Sequence, residues 1–470
     1  PTDQNAPAYP VTLKRIDRTV LYNATFLGCD ERNYYGDSLP DQLDVIWKYR
    51  LGKGESFSTP ERGVEEWSGA GWTGQPLLIE ENGELVLFQG AFDHTLKKID
   101  AVSGSLIWEY RFDDILKGTG TISAGANGLM ILQGSRLGLG NSINTKKIYS
   151  FRSIRVEDGE EVWRFNVRPT LSYSRDVDGS ALVLDDTVYI GLENGIFTVL
   201  EGDKVDGGEP EILEEHFLYT DEDFVKHGGN LVTESSPARL GDHLYITSGS
   251  GHVYGYNLKT RSIDWDLYLG ADMDGSPVVT YDSCLIVTVE QQFIKGKGGA
   301  MKIDPSRAPE ESVVWYFPTL PRNFADWKGG IIGSAAVNDR YRYSEDPMLA
   351  AFMGIDGILY VVEHDSITDN LTQGPDGKTV YPMPRLVDQK EVGPSISTPV
   401  FSGDRLLAAS YLGIELFRVS QNGVESLQRR QGGFEATPFF HRGQVFVASR
   451  DGYLYCLGDT TKRVDRTVPE

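Results

Sequence analysis

The phrase KKIDAVSGSLIWEY, residues 97–110, returns as RSIRVEDGEEVWRF (152–165), YGYNLKTRSIDWDL (254–267) and AMKIDPSRAPEESVVWYF (300–317). Each copy runs from apolar alternation into Asp, Asn or Gly turn chemistry, then into a second alternating run that carries a tryptophan. Alternation with period two marks a half-buried strand, so each copy reads as a hairpin whose Trp lies on the face that meets a neighbouring sheet. DVIWKYRLG (44–52) holds the Trp-bearing half alone.

A second marker precedes the hairpins: a small residue, usually Ser or Thr, then Pro or Ala, then an apolar run. It occurs in TGQPLLIE (73–80), DGSALVLD (178–185), ESSPARLG (234–241), DGSPVVTY (274–281), GSAAVNDR (333–340), STPVFSGD (397–404) and ATPFFHRG (436–443), with a weaker copy in TISAGANG (121–128). Another strand ending in a glycine turn follows each, so the unit is four short strands. Units of roughly 40 to 65 residues, repeated eight times, predict an all-β chain folded as a single eight-bladed β-propeller, with seven blades as the alternative because the second and sixth units are irregular. The last unit stops after three strands, and the orphan strand at 44–52 supplies its fourth, which closes the ring and removes two exposed sheet edges. The expected organisation is an N-terminal extension over 1–43, either a strap across the propeller or a tether, the propeller over 44–460, and a tail over 461–470.

With Asp100, Ser103, Gly104 and Trp108 in IDAVSGSLIW, the chain resembles the quinoprotein-type, or pyrroloquinoline-quinone-like, propeller repeat family. Gly159 and Trp163 fill the matching places of RVEDGEEVW, Asn257 and Trp265 those of YNLKTRSIDW, and Trp47 and Trp315 mark two further units; the third, sixth and seventh units lack the Trp. The family includes quinone-dependent dehydrogenases and non-enzymatic scaffolds such as the propeller lipoprotein of the outer-membrane β-barrel assembly machinery. The resemblance implies an exported bacterial protein, periplasmic, outer-membrane-associated or extracellular.

Net charge is −23, which sets the chain against nucleic acid and anionic membrane and in favour of cations. No apolar run is long enough to cross a bilayer, and the opening PTDQNAPAYPVTLKR lacks the apolar core of a signal peptide. Cys29, Cys284 and Cys456 are too few for a disulfide framework, although Cys29 retains one bridge as an alternative. The family's dehydrogenases hold their quinone against a disulfide of adjacent cysteines, with calcium beside it; no two cysteines here are adjacent, so the expected cofactor is none, with Ca²⁺ the open alternative.

Residues just before the Ser/Thr-Pro markers are expected to line the mouth of the central funnel: Trp72, Arg175, Asp176, Asp178, Glu234, Asp272, Asp274, Ile332 and Glu435. The carboxylates two apart in SRDVDGS (Asp176, Asp178) and ADMDGS (Asp272, Asp274) carry either metal ligation or turn capping. The glycine-rich loops GVEEWSGAGW (63–72) and PRNFADWKGG (321–330) carry Trp67, Trp72, Trp327 and Lys328; these tryptophans either stack on a sugar or a partner, or plug the channel. Residues 364–389 read as a polar surface loop inserted in the sixth unit that either contacts a neighbour or varies freely. The leading expectation is a non-catalytic scaffold for another protein or a surface glycan. Its rival is a quinone- or metal-dependent oxidoreductase, or a carbohydrate-active enzyme, with its site in the funnel.

Overall fold

The computed structural model describes residues 13–461, apart from 60, 61, 127, 203–206 and 344. Eight antiparallel sheets form eight blades, covering 77–111, 121–165, 182–217, 238–268, 278–318, 336–391, 400–431 and 439–458, numbered here 1 to 8. Blade 8 has three strands of its own; Asp44–Arg50 pairs with Tyr453–Gly458 as the fourth. Each blade end is thereby bonded, and the sheet edges that a chain of eight repeats would leave at its two ends are consumed.

The repeated phrase has a reason in how blades stack. In each of five blades the outer-strand tryptophan donates its indole N–H to a backbone carbonyl of the next blade: Trp47 to Ala101, Trp108 to Val156, Trp163 to Gly202, Trp265 to Arg307 and Trp315 to His364, at 2.9–3.1 Å. In blades 1 and 2 the turn glycine lies under the ring of the preceding blade's tryptophan. A methyl group at Gly104 would sit 2.7 Å from Trp47, and one at Gly159 would sit 2.9 Å from Trp108. Both glycines also have positive φ, 74° and 77°, so steric and conformational demands coincide. Asp100 completes the turn by accepting the N–H groups of Val102 and Ser103 at 3.0 and 2.6 Å.

The Ser/Thr marker closes the ring on the inside. Ser180 N–H donates to Ser236 Oγ, Ser236 to Ser276, Ser276 to Ser334, Ser334 to Thr398 and Thr398 to Thr437, at 2.8–3.3 Å. Gln75 N–H donates to Thr119 Oγ1, Ser180 Oγ to the Thr119 carbonyl, and Thr437 N–H to the Thr73 carbonyl. In six blades a hydroxyl, of Thr119, Ser236, Ser276, Ser334, Thr398 or Thr437, thus satisfies an amide of its neighbour where no strand partner exists. The weaker copy proves to be displaced by four residues, with Thr119-Gly120 rather than Ser123-Ala124 at the marker position.

Residues from Lys14 onward form a strap. Lys14–Ile16 and Thr19–Asn23 add two strands to blade 1, and the chain then crosses the ring with a contact to every blade. Asn23 donates to Pro76 O, Thr25 meets Thr121 and Ala181 O, Arg32 donates to Pro237 O, Asn33 donates to Val279 O, Tyr35 accepts from Val337 and Phe440, and Leu39 N–H donates to Ser402 Oγ. Arg32 is completely buried beneath it. The part of the expected extension over 1–12 and most of the tail over 461–470 lie outside the described residues.

Residues 364–389 differ from the expected loop. They belong to a long hairpin, Ile358–Gln373 with Val380–Glu391, that continues the outer strands of blade 6 through three register shifts. Paired strands satisfy the backbone where a loop of that length would leave it to solvent. The tip rests on blade 5, where Gly296 N–H donates to Pro375 O at 2.8 Å and Tyr381 lies edge-on to Tyr316. All three cysteines are free thiols.

Candidate functional site

Four residues before each inner strand the chain enters the mouth of the ring. Continued inward, each ladder sets that residue opposite one just beyond the second strand. The pairs are Thr73 with Phe92, Lys117 with Arg136, Asp178 with Glu193, Glu234 with Gly249, Asp274 with Glu290, Ile332 with Ile355, Ile396 with Tyr411, and Glu435 with Arg450, in blades 1 to 8. One structural position therefore carries acidic, basic, apolar or ion-paired chemistry according to the blade.

The result is a sectored funnel. Blades 6 and 7 contribute an apolar stopper in which Ile332, Ile355 and Ile396 pack with Trp72, joined by Phe324, Trp327 and Tyr411. Blade 8 closes its own charge, Arg450 to Glu435 at 2.7 Å. Blades 3 to 5 are acidic. Asp178, Glu193 and Glu234 bring carboxylate oxygens within 4.8 Å of one another, and so do Asp272, Asp274 and Glu290. Like charges directly opposite on a ladder repel, and burial removes the water that would screen them.

Blade 2 answers part of this charge. Lys117 Nζ meets Asp178 Oδ2, and Arg136 Nε donates to Asp176 Oδ2 at 2.7 Å. Burial works against the Lys117 ammonium, but Asp178, Glu234 and Glu193 outweigh it and raise its pKa. Asp178 is still raised, by burial first, with Lys117 opposing. Burial, then Asp178 and Glu234, holds Glu193 well above the ordinary carboxyl range. Burial pushes Glu234 up to about 8, against Lys117 and with help from Asp178 and Asp272. On the other side, burial followed by neighbouring carboxylates raises Asp274 and Glu290 strongly.

The residues singled out in the sequence fall into several places. Asp178, Glu234, Asp272 and Asp274 meet in the acidic sector, whereas Asp176 is turned away into its bonds with Arg136 and the Leu137 N–H and is absent from both carboxylate groups. Arg175 is completely buried, its guanidinium spent on the carbonyls of Val167, Ile143 and Thr145. Of the tryptophans, Trp72 is buried in the stopper with the half-buried Trp327 against it, and the half-buried Trp67 packs edge-on to Phe92 under Arg450. Lys328 is exposed beside them.

Glu193, Glu290, Lys117, Arg136 and Asn230 were not anticipated. For the two glutamates a signal was present, because Asp178-Gly-Ser and Asp274-Gly-Ser are each followed, 15 or 16 residues on, by a glutamate that ends the second strand.

Comparison with known proteins supports the architecture. Residues 45–207 match the family model described as outer membrane protein assembly factor BamB. No curated protein matches the chain in sequence. Among solved structures, BamB from Moraxella catarrhalis is 11% identical with a TM-score of 0.55, over 89% of this chain and 100% of that one. The quinohemoprotein alcohol dehydrogenase from Comamonas testosteroni is 13% identical with a TM-score of 0.57, over 96% and 82%. A europium-containing methanol dehydrogenase is 11% identical with a TM-score of 0.55, over 90% and 89%. At these identities the likeness is one of fold. With the Asp-turn-Gly-Trp phrase in its stacking role and eight blades in a closed ring, the chain is an eight-bladed β-propeller whose repeat is similar to that of the pyrroloquinoline-quinone-like family.

Proposed function

We propose that this chain is a non-catalytic, exported propeller that serves as a binding platform for another protein in a bacterial envelope assembly. The observation that carries the reading is the blade 6 hairpin. It projects beyond its blade, is braced against blade 5, and leaves Ile367, Leu371, Val380 and Leu386 between 41% and 67% exposed. Large apolar side chains held out on a rigid two-stranded arm suit a partner's apolar groove. The likeness to BamB of Moraxella catarrhalis and to the assembly-factor family agrees with an envelope role.

The rival readings find less support. A quinone does not fit these residues: the free thiols lie apart, in the strap, blade 5 and blade 8, and the hollow under Trp72, lined by Thr73, Asp274, Ile332 and Ile396, is too tight for a water molecule. The glycan reading rested on loop tryptophans that are packed inward.

The test places a photo-crosslinking residue at Leu371 and, in a second variant, at Leu106, which is exposed on blade 1. In cells of the source organism the first is expected to give one adduct of discrete mass and the second none; equal adducts or none from Leu371 overturn the docking role. A rise in melting temperature with Ca²⁺ plus pyrroloquinoline quinone that Ca²⁺ alone does not produce overturns the non-catalytic reading.

A further inference from the structure

The strap encloses a hollow of its own, apart from the funnel. Where it passes the inner strands of blades 2 and 3 it leaves a cavity of about 420 Å³, to which no carboxylate of the acidic sector contributes. Leu21, Ile122, Leu182 and Val183 supply an apolar floor, and the strap turn Cys29-Asp30-Glu31 forms a wall that Lys14 and Arg340 complete. Cavities of this size take small molecules whose apolar surface meets such a floor and whose few polar groups are met by fixed partners.

The turn that presents this wall is strained and held in place. Leu27, Gly28 and Arg32 have positive φ, at 54°, 77° and 58°, a conformation that residues with a side chain keep only where their surroundings over-determine it. A methyl group at Gly28 would lie 2.4 Å from the Tyr34 carbonyl oxygen, and the Tyr34 and Arg32 N–H groups bond back to the carbonyls of Leu27 and Cys29 at 3.1 and 3.0 Å. The buried Arg32 guanidinium donates to the carbonyls of Pro237 and Phe26 and to the Thr25 hydroxyl. Residues 29–31 therefore meet the cavity in one fixed conformation, which is the preorganisation a binding site needs.

The charges on the wall select the ligand. Glu31 and Arg340 answer each other at 3.0 Å. Asp30 and Lys14 remain, one anion and one cation: among the described residues neither side chain makes an ion pair or a hydrogen bond, and Lys14 acts on Asp30 only from beyond ion-pair distance. Burial raises the Asp30 carboxyl, and Arg32, the first charge to oppose this, is itself spent on the oxygens named above. We propose that the cavity binds a small zwitterion with an apolar body, the chemistry of a hydrophobic amino acid or dipeptide with free ends. Its ammonium meets Asp30, its carboxylate meets Lys14, and its side chain lies on Ile122, Leu182 and Val183. A ligand of one charge would answer only one of the two wall charges, and an uncharged one neither, so complementarity of sign supplies the specificity. The site is independent of the docking role of the blade 6 hairpin.

The experiment titrates the whole chain calorimetrically at pH 7.5 with L-leucine, L-phenylalanine and L-leucyl-L-leucine, and with N-acetyl-L-leucyl-L-leucine amide, whose ends carry no charge. Alkylation of Cys29 by iodoacetamide, read by mass spectrometry, is the second readout, because Cys29 lines the cavity half-buried whereas Cys284 and Cys456 are buried. One site per chain is expected, with a Kd below about 1 mM for at least one zwitterion and protection of Cys29 at saturation; the tighter of amino acid and dipeptide names the source. The capped dipeptide should bind at least about tenfold more weakly than the free one. D30N and K14M, checked for fold by circular dichroism, should each lower affinity by about tenfold or more, whereas E425Q, on the surface of blade 7, should retain it. Absence of heat and of Cys29 protection from every zwitterion at millimolar concentration overturns the proposal. So does a capped dipeptide that binds as tightly as the free one, and so does binding that D30N and K14M leave intact.

Discussion

Asp274 stands across the mouth of blade 5 from Glu290, at the position where blade 8 pairs Glu435 with Arg450. The same ladder geometry thus makes an ion pair in one blade and a buried acid pair in another. Replacing Glu290 by Gln removes the repulsion while keeping the shape. In chelator at pH 8, E290Q is expected to stabilise the protein by roughly 1–3 kcal/mol, and the gain should shrink as the pH is lowered to 5, because burial and the neighbouring carboxylates raise both pKa values and favour the protonated forms. Chemical denaturation at the two pH values measures both.

Lys117 is the internal counter-charge of the blade 3 triad, and removing it strands Asp178 beside Glu193 and Glu234. K117M should lower stability at pH 8 by about 3 kcal/mol, the scale for breaking a buried pair by deleting one partner. The loss should shrink towards pH 5, where the stranded carboxyls take up protons. Denaturation midpoints of the variant against the parent decide it.

Glu234 gives the funnel a pH dependence of definite sign. Burial, augmented by Asp178 and Asp272 and opposed by Lys117, pushes its pKa from 4.5 up to about 8. The folded protein keeps this proton after the unfolded chain has lost it. Its contribution is therefore fully present below about pH 4.5 and is lost as pH rises through about 8. In chelator the melting temperature should fall between pH 5 and pH 8, and E234Q should flatten that slope in a calorimetric series.

Gly104 lies beneath Trp47 and has positive φ, whereas Gly83 has φ of 86° with open space around it. G83A carries only backbone strain, about 1 kcal/mol. G104A adds a clash with the ring that docks blade 8 on blade 1 and should cost at least about 1–3 kcal/mol more. Comparison of the two variants in one denaturation series separates stacking from strain.

Ser276 Oγ accepts the Ser236 amide in the inner hydroxyl ring. S276A leaves that buried N–H unpaired and should destabilise by about 1–3 kcal/mol, while S276T, which keeps the hydroxyl, should lose less. Hydrogen exchange at the Ser236 amide is expected to accelerate in S276A and stay protected in S276T.

The repeat determined the architecture by itself, because everything it needs is local. Strand alternation, an Asp that closes its own turn, a glycine with positive φ and a tryptophan on the outer strand all lie within about 14 residues of one another, and a unit repeated along the chain can bury itself only against its neighbours. The orphan strand at 44–52 and the three-strand unit at the end likewise announced ring closure. Asp178, Glu234, Asp272 and Asp274 were legible as funnel residues because they precede the marker. Tertiary structure alone decided which charges meet. Lys117 and Asp178 come from different blades, and Asn230 and Asp272 are 42 residues apart, so only closure of the ring turns positions repeated along the sequence into neighbours around one axis. The inward packing of Trp72 and Trp327 and the paired hairpin over 364–389 were likewise settled there, because a polar, glycine-rich stretch is compatible with exposure or burial until the surface it packs against exists.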